Sequence, residues 1–520
     1  MSQFSSLVEM LDYSGDKYSK RTAIVFGAKS VTYRELNVTV NRLAQGLLTL
    51  GVKKDDRIAL WLANCPEFVY SFFAVLKLGA TVVPINSMLT REETKFIVED
   101  SQSSVLICSI DKVASSENIM ARVASLNQLV SLPKPQASGD NLIDFYELIK
   151  KNREFIGKVG LESDSLAEII YTSGTTGTPK GACLTHRNLL TNVSDCSLII
   201  KVTKADCFIC LLPLFHSFAS TVCMILPIFK GAKIVIMRTV TPFKRVLRTI
   251  FKHRVTVFAA VPSIYSILTS LKVSKISLLI ALFINPVRLC ISGAAALPYE
   301  VWEKFVKRFR RKLLQGYGLT EASPVVSLNP LTVKANPHSV GVFLPSVEGK
   351  VVDQKGNILK LGQIGELIVK GPNVMQRYFN KDKETKQTLK DGWLYTGDLA
   401  KIDERGFLYI IGRLKEMINV RGFNVYPREI EEVLYKHSQV KEAAVVGVNH
   451  KNRGEVPIAF VVVAGDISCG EITRYLRQNL AAYKVPLKIV YKSQLPKNNT
   501  GKILKRDLYQ EVKNTFSADS

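Results

Sequence analysis

Apolar positions recur along this chain in two rhythms. Between residues 32 and 51 they keep to one helical face, Leu36, Val40, Leu43, Leu47 and Leu50, behind the capping box Thr32-Tyr-Arg-Glu35, and Gly51 closes the run. Arg57 to Leu62 then reads as a strand, Pro66 to Leu78 as an apolar helix stopped by Gly79, and Thr81 to Ile85 as a second strand. Short apolar runs at Ile236, from Val255 to Ala260 and from Arg288 to Ser292 continue the alternation, each followed by polar or small residues. Strands that are apolar on both faces, separated by helical patterns, predict an α/β unit with a buried sheet and ligand groups at the strand ends.

Beyond about residue 412 the scale contracts. Pro427 to His437 and Glu471 to Leu480 read as helices, and Ala443 to Val448 and Ile458 to Val463 as strands. A small α+β domain of about a hundred residues fits that segment. A chain of 520 residues with 47% apolar content also exceeds one compact core.

Composition narrows the setting. The start, Met1-Ser-Gln-Phe-Ser-Ser, lacks a basic-then-apolar secretory pattern, and the longest apolar candidate, Ile276 to Val287, is interrupted by Asn285-Pro286 and is too short to span a bilayer. Nine cysteines without framework spacing fit a reducing compartment, and Cys207-x-x-Cys210, inside an apolar run, reads as packed thiols rather than a metal or redox site. The expected location is cytoplasmic, with peripheral contact at the inner membrane face left open. A net charge of +25 favours polyanions without choosing among them. The densest cluster, Lys304, Lys307, Arg308, Arg310, Arg311 and Lys312, alternates with Trp302, Phe305, Val306 and Phe309 at helical spacing. It predicts an amphipathic helix with a solvated basic face, membrane-surface contact being the alternative. No aromatic platform or reading helix points to specific nucleic acid.

The candidate chemistry centres on Tyr171-Thr-Ser-Gly-Thr-Thr-Gly-Thr-Pro-Lys-Gly181, directly behind the apolar run from Leu166 to Ile170. Glycines let several backbone N–H groups face one anion, the hydroxyls of Thr172, Ser173, Thr175 and Thr176 add donors, and Lys180 adds a point charge. The pattern is a phosphate loop, but Lys180 between Pro179 and Gly181 departs from the common triphosphatase motif. Further segments pair polar groups with tight backbone: Leu212-Pro-Leu-Phe-His-Ser217, Ser292-Gly-Ala-Ala295, Gln315-Gly-Tyr-Gly-Leu-Thr-Glu321, Tyr395-Thr-Gly-Asp398, Gly412-Arg-Leu-Lys415 and Pro496-Lys-Asn-Asn-Thr-Gly-Lys502.

In this order and at these separations, nearly the whole chain resembles the adenylate-forming superfamily of acyl-CoA synthetases, luciferases and peptide-synthetase adenylation domains, most of all the long-chain fatty-acid CoA ligases. The resemblance implies an N-terminal domain of mixed sheets flanked by helices (1–411), a hinge (412–415) with Lys415 at its pivot, and a mobile α+β C-terminal domain (416–520). It implies ATP and CoA as cosubstrates, Mg²⁺ as cofactor, and a carboxylic acid that attacks the α-phosphate to give an acyl-adenylate before a thiol displaces AMP. By resemblance, Thr172, Ser173, Gly174, Thr175, Thr176, Gly177 and Lys180 hold the β- and γ-phosphates. Glu321 binds Mg²⁺, Thr320 contacts the α-phosphate, Gly293, Ala294, Ala295, Gly316 and Tyr317 enclose adenine, and Gly318 belongs to the same ATP site. Asp398, helped by Arg413, accepts the ribose hydroxyls. Lys502 reaches the α-phosphate from the small domain, and Gly422 lies on the loop that replaces it for thioester formation. His216 falls near the acyl carboxylate.

Amino-acid-activating relatives carry an aspartate where this chain has His216. The run from Phe208 to Phe229 offers Leu211, Leu214, Phe215, Phe218, Val222 and Met224 and no carboxylate, so an unpaired ammonium there is disfavoured and an alkyl or aryl acid is expected. Two departures from the family stand out: the apolar segment Lys275 to Val287, expected as a lipid-facing or tunnel-mouth surface, and Arg377, where relatives often have Gly before Tyr378. A carrier protein in place of CoA, and a monomer or a homodimer, stay open.

Overall fold

The computed structural model describes residues 3–134, 142–157, 159–172, 178–271, 286–331, 336–421, 423–450, 454–497 and 502–518, the last five by their backbone only. The fold is mixed α/β, with a large N-terminal unit and a smaller C-terminal sheet unit. The predicted elements form with small shifts of limit. Thr32 and Glu35 make a reciprocal capping box on the helix Tyr33–Thr49, and Gly51 follows it with a φ of +88° that a side chain would resist.

A nine-stranded sheet holds six neighbouring parallel strands, Thr22–Phe26, Lys233–Ile236, Cys207–Cys210, Val257–Ala260, Leu289–Ser292 and Leu313–Gly318, most of them apolar for most of their length. An eight-stranded sheet centres on Arg57–Trp61 and Thr81–Pro84 and continues through Leu166–Thr172 and Lys180–Thr185 to a short edge strand, Arg377–Tyr378. One buried cluster, with Leu60, Phe72, Leu184, Phe208 and Ile291 among its members, joins residues of both sheets. The C-terminal unit has separate cores, one around Ile430, Val445 and Ile472 and one around Phe460 and Leu508.

Connection handedness sorts the helices. Phe243–His253, Pro262–Ser270 and Tyr299–Phe309 lie on connections that step one way across the nine-stranded sheet, so the right-handed rule puts them on one face. The connection from Cys207–Cys210 to Lys233–Ile236 steps the other way and packs between the sheets, against Leu7–Lys17 and His186–Ile199. It contains a π-helical turn, Ser220–Ile225, just after His216.

Two expectations are corrected. The basic helix ends at Phe309, where Arg310 takes a left-handed φ of 49°, so Arg310, Arg311 and Lys312 lie beyond it. Lys180 is not a loop residue but opens a strand, paired with Thr172 across a hairpin. Most of Lys275 to Val287 lies outside the described residues. Among the described residues no helix is long and apolar enough to cross a membrane.

Candidate active site

The parallel strands bring their C-terminal ends to one edge of the nine-stranded sheet, where the chain leaves β structure as His216, Gly293–Ala295 and Thr320. Direct contacts tie these segments together. Ser217 Oγ and Thr320 Oγ1 are 3.3 Å apart, and a Cβ on Gly293 would sit 3.0 Å from the Phe218 ring, so glycine permits that approach. Ala294 carries a left-handed φ of 65°. Gly318 is an obligatory glycine, since a Cβ there would lie 2.0 Å from the Pro324 carbonyl oxygen.

Buried amides hold the turn that bears Glu321. Asn192 donates to the Val325 carbonyl at 2.7 Å and Asn373 to that of Ala322 at 2.9 Å, while Met375 N–H donates to the Glu321 carbonyl at 2.8 Å. The Glu321 side chain accepts the Tyr378 hydroxyl at 2.8 Å, and the Lys180 ammonium sits 5.5 Å from the centre of the Tyr378 ring. One tyrosine therefore connects Lys180 with the expected metal carboxylate. Among the described residues no three or more His, Cys, Asp or Glu gather as for a metal held by protein alone. A single oriented carboxylate instead suits Mg²⁺, which takes one or two carboxylates together with phosphate and water oxygens.

Asp398 and Arg413 are cross-strand partners and form an ion pair, with Arg413 Nε 2.8 Å from Asp398 Oδ1. Tyr317 donates its hydroxyl to Oδ2. Burial raises the Asp398 pKa against the opposing pull of Arg413, and it drives that of Tyr317 well above the usual phenol range. Arg413 keeps its charge: burial works against it, but Asp398, Tyr317, Glu321 and Glu416 carry its pKa upward.

Lys502 enters this site from the C-terminal unit. It is exposed to solvent, yet surrounding protein and the charge of Arg413 lower its pKa, against Glu416 and Asp398. His216 has its pKa lowered to about 4 by burial first and the Lys502 charge second. Its Nδ1 accepts the Phe218 N–H at 3.2 Å, so the neutral ring keeps its proton on Nε2. Three residues past Lys502, Lys505 bridges Glu416 at 3.0 Å and Glu431 at 2.8 Å. Lys415 is exposed in the short turn Leu414–Glu416.

The structure thus gathers Lys180, His216, Gly293, Thr320, Glu321, Tyr317, Asp398, Arg413 and Lys502 about one edge. Ser173, Gly174, Thr175, Thr176, Gly177 and Gly422 lie outside the described residues. Of the apolar residues expected around the acyl group, Leu214 and Met224 are plain core, while Phe218 faces Gly293. Sequence reasoning missed Tyr378. It singled out the neighbouring Arg377 as a departure, whereas the contact that matters belongs to the tyrosine beside it. Ser217 and the two clamping asparagines gave no signal of their own.

Residues 11–379 match the family described as AMP-binding enzyme, and residues 429–502 match the AMP-binding enzyme C-terminal domain. The long-chain-fatty-acid–CoA ligase of Bacillus subtilis (strain 168) is 35% identical over 537 residues, covering 97% of this chain and 94% of the relative. 4-Coumarate–CoA ligase 3 of Oryza sativa subsp. japonica is 33% identical, covering 92% and 87%. The ATP-bound crystal structure of MatB from Rhodopseudomonas palustris superposes with a TM-score of 0.90 at 30% identity, covering 99% of this chain and all of that one. The apo structure of the same protein gives 0.79 over the same coverage.

Proposed function

The chain belongs to the AMP-binding enzyme family, and from that we propose that it is an AMP-forming acid–thiol ligase that activates a long-chain fatty acid with ATP and passes the acyl group to CoA. The observation that carries the reading is the convergence of Lys502 on Asp398, Arg413 and His216, which brings a cation of the small unit to the nucleotide side of the large one. The better superposition on ATP-bound than on apo MatB supports the same arrangement.

In the first step a carboxylate oxygen attacks the α-phosphorus and pyrophosphate leaves with the electron pair of the broken P–O bond. A carboxylate attacks without losing a proton, so the chain need supply no general base, only positioning and positive charge. Asp398 accepts the ribose hydroxyls, Lys180 meets the outer phosphates, and Thr320 and Lys502 donate to oxygens around the α-phosphorus. When bound at Glu321, Mg²⁺ supplies charge neutralisation for the phosphate oxygens. Neutral His216 offers its Nε2 proton to the acyl carboxylate, orienting it without adding a charge. In the second step the CoA thiolate attacks the acyl carbon and AMP leaves, with Lys415 as pivot and the loop at Gly422 taking the place of Lys502.

The fatty-acid assignment rests on the absence of a carboxylate beside His216 and on the Bacillus relative. The rice relative favours an aromatic acid as the second reading. Mass spectrometry of products from ATP, Mg²⁺ and CoA with acetate, octanoate, palmitate, cinnamate and amino acids separates these readings. Palmitoyl-CoA with AMP is the expected result. Cinnamoyl-CoA alone would replace the fatty-acid assignment, and adenylate without any thioester would move the acceptor from CoA to a carrier protein.

A further inference from the structure

One long stretch of the nine-stranded sheet unit carries charge of one sign: from Cys207 to Tyr299 the sequence holds eleven Lys and Arg and no Asp or Glu. The helix Phe243–His253 concentrates that excess. Its Val246 and Ile250 are buried, with Phe243, Leu247 and Phe251 half-buried beside them, while Lys244, Arg245, Arg248 and Lys252 are exposed. At helical spacing these four cations fall within an arc of about 100° opposite the apolar stripe. Arg238 before the helix and Arg254 at its end are exposed as well. Among the described residues, none of these six side chains makes an ion pair or a hydrogen bond.

Other cations of this unit behave differently. Lys307 pairs with Glu303 at 3.1 Å, Lys312 donates to the Leu331 carbonyl at 3.0 Å, and Arg308 caps the carbonyls of Thr269 and Leu271. Arg288 pairs with Asp206 at 2.7 Å. At least half of the cluster that is densest in sequence is thus engaged, and the larger group of unengaged cations lies on the Phe243–His253 helix.

We propose that the Phe243–His253 helix docks this protein on an anionic lipid surface, lying flat with Lys244, Arg245, Arg248 and Lys252 toward the headgroups. Unneutralised charge of one sign on a convex helix face suits a planar array of phosphates. An apolar group stands beside the charge, as shallow insertion requires: half-buried Phe251 adjoins Lys244 at helical spacing, and the next helix, Pro262–Ser270, exposes 45% of Ile267. The exposed Ile267 near these cations favours a lipid surface over nucleic acid, whose phosphates would draw on the cations alone. The docking surface does not depend on which acid is activated.

The test is flotation of the full chain with phosphatidylcholine vesicles, with and without phosphatidylglycerol, at low and high salt. Binding is expected only to the anionic vesicles and is expected to weaken with salt. Combined Lys244→Gln, Arg245→Gln, Arg248→Gln and Lys252→Gln should cut partitioning roughly a hundredfold or more, since each cation near an anionic surface contributes appreciably. A Lys304→Gln, Arg310→Gln control should bind as the parent does. Unchanged melting temperature and ATP–pyrophosphate exchange certify the variants, and Arg248→Glu alone probes the same face in a less altered chain. Equal flotation of parent and quadruple variant overturns the proposal, as does equal loss in the control. Binding of duplex DNA that follows the same four residues, without vesicle binding, overturns it in favour of nucleic acid.

Discussion

Tyr317 donates its hydroxyl to Oδ2 of Asp398 while Arg413 holds Oδ1, so the carboxylate proposed to accept the ribose hydroxyls is fixed from two sides before any nucleotide arrives. A carboxylate has about four acceptor sites, and two remain for a diol. Tyr317→Phe keeps the ring and releases one side of Asp398. It is expected to raise KM for ATP several-fold with kcat little changed, whereas Asp398→Ala should lower kcat/KM at least tenfold more. Equal effects from the two variants in ATP–pyrophosphate exchange would separate Tyr317 from this role.

Lys502 has a pKa below the ordinary lysine value of 10.5, because the protein packed around it and the Arg413 charge both disfavour its charge, although its surface is open to solvent. Loss of that proton at high pH removes the cation, so adenylation should fall as pH rises, with its inflection below 10.5. Lys502→Ala should cost about a hundredfold or more in adenylation, the scale of one lost transition-state donor, and abolish the alkaline limb. A pH–rate profile of pyrophosphate exchange for both proteins checks this.

Tyr378 orients Glu321 through its hydroxyl and lies under Lys180 with its ring. Tyr378→Phe removes the first contact and spares the second. The expected outcome is a several-fold higher Mg²⁺ concentration at half-maximal adenylation, with KM for the acid unmoved. Titration of Mg²⁺ at saturating ATP and acid is the measurement.

Glu168 lies fully buried in the strand that leads to the phosphate loop, and neither carboxylate oxygen has a partner among the described residues. Burial raises its pKa from the ordinary 4.5 to about 8, so the folded chain keeps this proton at neutral pH and the unfolded chain does not. Stability from this group is therefore full below 4.5 and declines as pH rises through 8, by up to about 5 kcal/mol in total. Glu168→Gln should raise Tm at pH 8 and bring no gain at pH 5. Thermal denaturation at the two pH values decides the matter.

Most of the alternation of strand and helix was legible in the sequence because burial imposes it locally. The helix Tyr33–Thr49 and the strands around Thr81 and Val257 carry their own start signals, stop signals and apolar rhythm. The resemblance carried the candidate site further, since Asp398, Glu321 and Lys502 belong to motifs. Tyr378 escaped because its role is made by tertiary contact: an edge strand of two residues, 57 positions from Glu321, holds no periodic signal. The free cationic face escaped for the opposite reason. Charge density along the chain pointed to residues 304–312, and only the pairing of Lys307, Arg308 and Lys312 showed that at least half of that charge was engaged.

The bridge from Lys505 to Glu416 and Glu431 has a mechanical consequence. Glu416 is the first residue beyond Lys415, and Lys505 stands three residues past Lys502, so the two ends of the small unit are fastened to each other. A rotation about the proposed pivot Lys415 would then reach Lys502 as through a stiff crank, with little play between the turning point and the working tip. Cutting the strut at Lys505 would leave the tip chemically whole and mechanically slack.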